Sequence, residues 1–138
     1  MKIYISGPYS KGDKMCNVRK AILVGEAITM LGHTPFIPHL NHFWDAICEH
    51  DEKFWIEYDL KWLPCCDAVL RMAGDSKGAD IEVAAARWLN LPVYHKLEEI
   101  ESLCPHCGES KLYKEYDDRL GKDVIACMCG WRGYDRQA

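Results

Sequence analysis

The first 95 residues alternate between short apolar runs and longer segments with helical periodicity, and this alternation restricts the fold more than any other feature. Four runs rich in β-branched, aromatic or aliphatic residues predict strands at residues 2–6, 34–37, 67–72 and 92–95. Strands that are joined by helices pair in parallel. The sequence therefore predicts an α/β fold with a doubly wound, flavodoxin- or Rossmann-like parallel sheet and helices on both faces.

The helical segments lie between these strands. Residues 14–31 carry apolar side chains at intervals of three and four, which predicts a helix. Gly32 follows directly and is the predicted C-terminal cap of this helix. Residues 41–49 and 53–63 are rich in aromatic side chains, and residues 79–89 form the fourth predicted helix. The strand at 67–72 is mostly apolar, which is typical of a strand that is covered on both faces.

Ligands of such sheets bind beyond the carboxyl ends of the strands. The residues at these ends that we predict to bind substrate are Ser6, Gly7, Pro8, Tyr9, His39, Ser76 and Gly78. Gly78 belongs to a turn that leads into the fourth helix, where backbone N–H groups and the helix dipole favour an anion. Glu82 lies about one turn further on. Taken alone, it is better explained as an ordinary acidic residue near a helix N-terminus.

The cysteines divide the chain near residue 102. Two close pairs, Cys104/Cys107 and Cys127/Cys129, fall in the last 37 residues, and each pair is followed by Gly. They resemble the knuckles of a zinc ribbon, which implies a structural Zn²⁺ held by four thiolates. The second pair is Cys-x-Cys, whereas ribbons have Cys-x-x-Cys. His106 is therefore a candidate to replace one of these cysteines as a ligand, and the alternative to a zinc site is a relic of a ribbon that binds no metal.

Between the cysteine pairs, residues 111–116 and 123–126 predict a β-hairpin with Gly121 in its turn. A tail of this size cannot bury a sufficient core of its own, so we expect a bound metal to supply its stability.

Composition excludes several classes of protein. The chain is 49% hydrophobic and 28% charged, as in soluble globular proteins, and its net charge of −4 gives no reason to expect nucleic-acid binding. No apolar run is long enough for a membrane span, and the N-terminus lacks the pattern of a signal peptide. We therefore expect a cytoplasmic protein without membrane association, in which paired cysteines bind metal rather than form disulfides.

Three motifs occur in a characteristic order. Lys-Ile-Tyr-Ile-Ser-Gly-Pro-Tyr contains Tyr4, Cys-Asp-Ala-Val-Leu contains Asp67, and Ser-x-Gly-x-x-x-Glu ends at Glu82. This ordered set resembles the nucleoside 2-deoxyribosyltransferase-like superfamily, which includes deoxyribosyltransferases and nucleoside 5′-monophosphate N-glycosidases. The resemblance covers roughly residues 2–95. Together with the division that the cysteines mark near residue 102, it predicts a catalytic domain at residues 1–101 and a ribbon-like domain at residues 102–138.

The resemblance also implies the catalytic roles. Glu82 falls on the nucleophile that attacks the anomeric carbon, Asp67 on the residue that positions the sugar or protonates the leaving base, and Tyr4 on the residue that orients the nucleophile. No cofactor is implied for catalysis. A carboxylate suits this chemistry because it can form a covalent glycosyl-enzyme, while a second carboxyl group lends a proton to the departing base. His39 could hydrogen-bond the base, and Phe43 or Trp44 could stack on it.

Ser76 points to a branch of the superfamily. The nucleoside transferases carry Asp at this place, where it meets a free 5′-hydroxyl, whereas Ser tolerates a 5′-phosphate. We therefore predict hydrolysis of the N-glycosidic bond of a nucleoside 5′-monophosphate or related nucleotide. The alternatives are base exchange between deoxynucleosides, cleavage of an NAD-derived or cyclic nucleotide signal, and a non-catalytic nucleotide-binding module.

The region after the second strand predicts self-association. Family members are oligomers whose active sites a neighbouring subunit completes, and six aromatic residues fall within positions 43–62. This exceeds what one face of a small sheet needs for its cover, so we expect a homodimer or a larger assembly. The alternative is that the ribbon folds back over the same aromatic side chains.

Overall fold

The computed structural model describes residues 1–110 and 112–133, and the chain divides into two compact units, Met1–Ile100 and Glu101–Ala138. The first unit contains a parallel sheet of four strands, in the order β2-β1-β3-β4. The strands are β1 (Lys2–Ser6), β2 (Thr34–Phe36), β3 (Ala68–Arg71) and β4 (Val93–Tyr94). The predicted parallel α/β sheet is therefore confirmed, and its strand order reverses between β1 and β3.

Four α-helices of this unit connect the strands: α1 (Lys14–Met30), α2 (Asn41–Asp45), α3 (Glu52–Trp62) and α4 (Lys77–Trp88). Single turns of 3₁₀ helix lie at Pro38–Leu40, Leu63–Cys65 and Leu97–Glu99.

Alternation along the strands places helices on both faces of the sheet. Ile3 and Ile5 of β1 pack with Ala21 and Ile28 of α1 on one face. Tyr4, between them in the sequence, points to the opposite face and packs in a cluster that includes Leu63, Val69 and Ala86. Because successive side chains of a strand point to opposite sides, a strand that is covered on both faces is apolar throughout.

Two helix boundaries differ from those predicted by more than one residue, and hydrogen bonds explain both. The helix predicted at 41–49 ends at Asp45, whose carboxylate accepts hydrogen bonds from the backbone N–H of His50 (3.0 Å) and from the indole N–H of Trp55 (2.7 Å). The fourth helix begins at Lys77, earlier than predicted, because the side chain of Ser76 caps it and accepts from the N–H of Ala79.

The second unit contains an antiparallel sheet of β5 (Leu112–Asp117), β6 (Lys122–Cys127) and β7 (Arg132–Gly133), in that order. The strands β5 and β6 form the predicted hairpin, although residue 111, at the start of the prediction, lies outside the described residues. Gly121 has φ +64° in the turn, a conformation that glycine adopts without strain.

Across residues 1–110 and 112–133, none of the helices is both long enough and apolar enough to cross a membrane.

Candidate active site

A cavity of about 690 Å³ lies at the carboxyl edge of the parallel sheet. Its walls come from the loop after β1, the segment from Pro38 through α2, the helix α3 and the turn between β3 and α4. The cavity thus adjoins the strands β1 and β3, between which the strand order reverses, and this is where open α/β sheets place their ligands.

The two loops that flank the cavity pack tightly together. Gly74 has φ +112°, and a Cβ atom there would lie 2.9 Å from Cγ of Pro8, so the turn after β3 needs glycine to approach the loop after β1. The carbonyl of Pro8 in turn accepts a hydrogen bond from Nε2 of His39 (3.0 Å). Burial lowers the pKa of His39, so its ring is neutral and ties the segment after β2 to the same loop.

Glu82 is the most tightly held carboxylate of the site. It lies on the face of α4 that packs against the sheet and is 9% exposed. The hydroxyl of Tyr4 donates to Oε1 (2.8 Å), and the hydroxyl of Ser6 donates to Oε2 (2.6 Å). Tyr4 and Ser6 are two positions apart on β1, so they reach the same face of the sheet. Both oxygens of Glu82 therefore have fixed hydroxyl donors.

Burial and the two hydrogen-bond donors have opposite effects on the pKa of Glu82. Burial raises the pKa of the Glu82 carboxyl, whereas the hydrogen bonds from Ser6 and Tyr4 and the charge of Arg71 act to lower it. Burial, followed by the charge of Glu82, raises the pKa of Tyr4 well above its ordinary value, so Tyr4 remains a hydroxyl donor.

Asp59 is a functional candidate that sequence analysis missed. It lies on α3, lines the cavity and is 8% exposed, and its Oδ1 accepts a hydrogen bond from Nδ2 of Asn41 (2.8 Å). Burial and the neighbouring charge of Glu82 raise the pKa of Asp59 to about 7, against the opposing effect of the Asn41 hydrogen bond. The signal in the sequence was an acidic residue within an aromatic helix, three positions before Trp62 and four after Trp55.

Asp67 does not reach the cavity. It precedes β3, is exposed, and its Oδ2 accepts a hydrogen bond from the backbone N–H of Lys2 (2.6 Å). The residues before β3 and at the start of β1 lie at the amino edge of a parallel sheet, opposite the edge that carries the cavity. The structure thus brings Tyr4 to Glu82 and leaves Asp67 at the far edge.

The residues predicted to bind substrate fall into two groups. Gly7, Tyr9, His39, Ser76 and Gly78 line the cavity. Ser6 contacts Glu82 beneath it, and Pro8 supports His39 through its carbonyl.

Trp55 and Tyr9 contribute aromatic rings to the wall of the cavity, whereas Phe43 and Trp44 do not line it. Trp44 packs edge-on against Trp55, with 5.1 Å between ring centroids. The hydroxyl of Tyr9 is hydrogen-bonded to Nδ1 of His42 (2.9 Å), so both side chains are fixed at the rim.

The second unit carries a separate candidate metal centre. The thiol sulfurs of Cys104, Cys107, Cys127 and Cys129 all lie within 4.8 Å of one another, close enough to hold one metal ion. Four thiolates that converge in this way are typical of structural metal sites, which are tetrahedral and leave no coordination position open. The Cys-x-Cys pair contributes both of its sulfurs to this cluster.

A comparison with known proteins finds a family model, described as "Domain of unknown function (DUF7768)", that matches residues 1–96. Among solved structures, the chain is similar to a 2-deoxyribosyltransferase from the psychrotolerant bacterium Bacillus psychrosaccharolyticus. The identity is 26% and the TM-score 0.49, and the match covers 67% of this chain and 69% of that chain. A comparison with curated proteins finds no match.

Proposed function

The chain belongs to the family described as Domain of unknown function (DUF7768), whose model spans more than half of it, and we propose that it hydrolyses N-glycosidic bonds of nucleotides through a covalent intermediate on Glu82. The substrate is a nucleoside 5′-monophosphate or a related nucleotide. The observation that carries this proposal is the pairing of the oriented carboxylate of Glu82 with the buried carboxyl of Asp59, at one cavity.

The two carboxyl groups suit different roles. Glu82 accepts hydrogen bonds from two hydroxyl groups and interacts with the positive charge of Arg71, and each of these interactions favours its ionised form. For Asp59, the hydrogen bond from the Asn41 amide favours the ionised form, whereas burial and the charge of Glu82 favour the protonated form. Of two interacting carboxyls, the one with more donors loses its proton first. Glu82 is then the nucleophile and Asp59 the acid, a division of labour that is typical of glycosidases.

In the first step, an oxygen of Glu82 attacks the anomeric carbon and forms a glycosyl ester. The bond from that carbon to the base nitrogen breaks, its electron pair passes to the base, and Asp59 gives the base its proton. In the second step, water attacks the same carbon while Asp59 takes a proton from it, and the ester bond breaks. The products are the free base and the sugar phosphate, and both carboxyls are restored.

A phosphate fits the rim of the cavity next to α4. Lys77 and Gly78, the first residues of that helix, line the cavity, and early backbone N–H groups of a helix lack intrahelical partners. Lys11 also lines this rim, where it pairs with Asp75 at 2.9 Å. Residue 76 is serine where the transferases carry aspartate, so no carboxylate stands at this position to repel a phosphate. The hydroxyl oxygen of Ser76 caps the helix by accepting a hydrogen bond from the N–H of Ala79.

Incubation with a panel of ribo- and deoxyribonucleotides, and of the matching nucleosides, tests the proposed function. We expect chromatography to detect the free base from at least one monophosphate and less of it from the nucleoside. A second base, added in excess, separates hydrolysis from base exchange, because exchange would produce a new nucleotide. Absence of base release across a panel that includes NAD-derived and cyclic nucleotides would contradict an enzymatic role and favour a binding module.

We also propose that the metal of the second unit is zinc. Purified full-length protein is expected to contain about one Zn²⁺ per chain by elemental analysis, and Cys107→Ser should lose most of it, since a tetrahedral site depends on all four ligands. Cys48→Ser, at an exposed cysteine outside the cluster, is the control. Zinc-free protein after purification without chelators, or equal zinc in both variants, would refute this assignment.

Self-association remains a proposal as well. Large apolar side chains stay exposed on and near α2 and α3, and they include Phe43, Trp44, Ile47 and Trp62. A homodimer or larger assembly would cover them, and a light-scattering mass equal to that of one 15.9 kDa chain would rule this out.

A further inference from the structure

The hydrogen bond between Asn41 and Asp59 connects two elements that are distant in the sequence. Asn41 is the first residue of α2, and its Nδ2 donates to Oδ1 of Asp59, which lies 18 positions later on α3. All five residues of α2 are at least partly exposed, so this short helix adds little to the core. A partly buried hydrogen bond between an otherwise peripheral helix and the proposed acid therefore needs a reason other than packing.

We propose that Asn41 is a positioning residue, which confines the acidic proton of Asp59 to Oδ2 and thereby sets the direction in which Asp59 protonates the leaving base. This inference rests on the proposed function of Asp59. A protonated carboxyl has one O–H group and a second oxygen that can only accept. Because the amide N–H of Asn41 occupies Oδ1, the proton is placed on Oδ2.

The opposite arrangement has a different chemical consequence. If the amide of Asn41 were reversed, its carbonyl oxygen would accept the proton of Asp59, and the acid would spend its only O–H bond on Asn41 instead of on the base. The two arrangements have opposite effects on ionisation. A donor stabilises the carboxylate and lowers the pKa of Asp59, whereas an acceptor stabilises the protonated form and raises it.

Other charged and titratable groups surround Asp59 and remain in place when Asn41 is changed. Glu82 of α4 acts directly on the Asp59 carboxyl, and Asp59 contributes to the raised pKa of Tyr4 on β1. Further groups of this kind on the same cavity are Tyr9, Lys11, Lys14, His39, His42, Asp45, His50, Glu52, Arg71, Asp75, Lys77 and Asp80. The difference between wild type and an Asn41 variant therefore isolates the effect of the amide.

The decisive variant is Asn41→Ala in the full-length protein. The rate of base release requires protonated Asp59, so it falls as the pH rises through the pKa of that group. Loss of a donor to the carboxylate should move this alkaline limb of the kcat profile to higher pH. At the pH optimum, kcat should fall by about 10- to 100-fold, because the proton is no longer held on one oxygen. The control is Asn90→Gly, which suits the positive φ at this position, remote from the cavity.

A second substrate separates proton placement from general damage to the site. A nucleotide whose base is already cationic, such as an N7-methylated purine, leaves without a proton from Asp59. With this substrate, Asn41→Ala should retain kcat within a few-fold of wild type. Equal losses with both substrates, a shift of the alkaline limb to lower pH, or an unchanged rate with the ordinary substrate would each overturn the inference.

Failure of the inference can be told apart from failure of the proposed function. NMR titration of ¹³C-labelled aspartate reports the pKa of Asp59 without any turnover, and this pKa should be higher in Asn41→Ala than in wild type. A fall in that pKa overturns the inference whether or not the protein is a glycosidase. A wild-type protein that releases no base would instead overturn the function.

Discussion

Replacement of Glu82 by glutamine is expected to reduce base release by about 10³-fold or more, because an amide cannot form the glycosyl ester. Glutamine keeps the size of the side chain, which matters since Glu82 is 9% exposed and packs between α4 and the sheet. Its oxygen can still accept from one of the two hydroxyls that contact Glu82. The variant should therefore fold, and its ordinary substrate should still bind.

Glu57→Gln is the matched control. Glu57 lies on α3 and pairs with Lys53 on the exposed surface, a kind of ion pair that contributes little to stability. It should retain wild-type activity. Mass spectrometry of protein quenched during turnover should find the sugar on the peptide that contains Glu82, and this adduct should be missing from Glu82→Gln. Activity of Glu82→Gln within tenfold of wild type would remove Glu82 from the role of nucleophile.

The sheet could be predicted because its signals are local. Each strand is a short apolar run, and the helices between the strands leave parallel pairing as the favoured arrangement. The end of α2 could not be predicted, because it depends on the bond from the N–H of His50 to Asp45 and on the indole N–H of Trp55, which comes from α3. Tertiary contacts of this kind override the helical pattern of residues 46–49.

Only one member of the proposed catalytic pair, Glu82, could be predicted from the sequence. Glu82 and Tyr4 stand out through motifs, and the structure joins them by a hydrogen bond of 2.8 Å. Asp59 has no motif, and its neighbours Trp55, Tyr58 and Trp62 suggest a core helix. Its importance comes from burial beside Glu82, and these two residues are 23 positions apart. The motif that contains Asp67 does not say at which edge of the sheet the carboxylate lies, and the structure places it beside Lys2 at the amino edge.

Asp59→Asn is expected to have the second largest effect, a loss of about 10²- to 10⁴-fold in kcat for ordinary nucleotides, since asparagine cannot supply the proton that the base needs. In the wild type, activity should fall as the pH rises through about 7, where Asp59 loses its proton, and fall again in acid, where Glu82 gains one. The residual activity of Asp59→Asn should lack the alkaline limb, which pH profiles of both proteins will show.

The same substitution should stabilise the protein at alkaline pH. The pKa of Asp59 is about 7 in the folded chain and near 3.8 when unfolded, so between these values the native state binds more protons. Stability then falls as the pH rises from about 4 to about 7, because a buried carboxylate must form. Asparagine does not ionise, so at pH 8 Asp59→Asn should resist denaturant better than wild type, and this advantage should vanish near pH 4.

Asp67→Asn completes the test, because it changes the same residue type at the opposite edge of the sheet. Asp67 is exposed and contacts only the start of β1 among the hydrogen bonds described for it, so its substitution should leave kcat and the pH profile unchanged. Loss of activity in Asp67→Asn with retention in Asp59→Asn would return the role of acid to Asp67. The opposite result, together with the alkaline stabilisation of Asp59→Asn, would assign the role of proton donor to Asp59, the buried residue of α3.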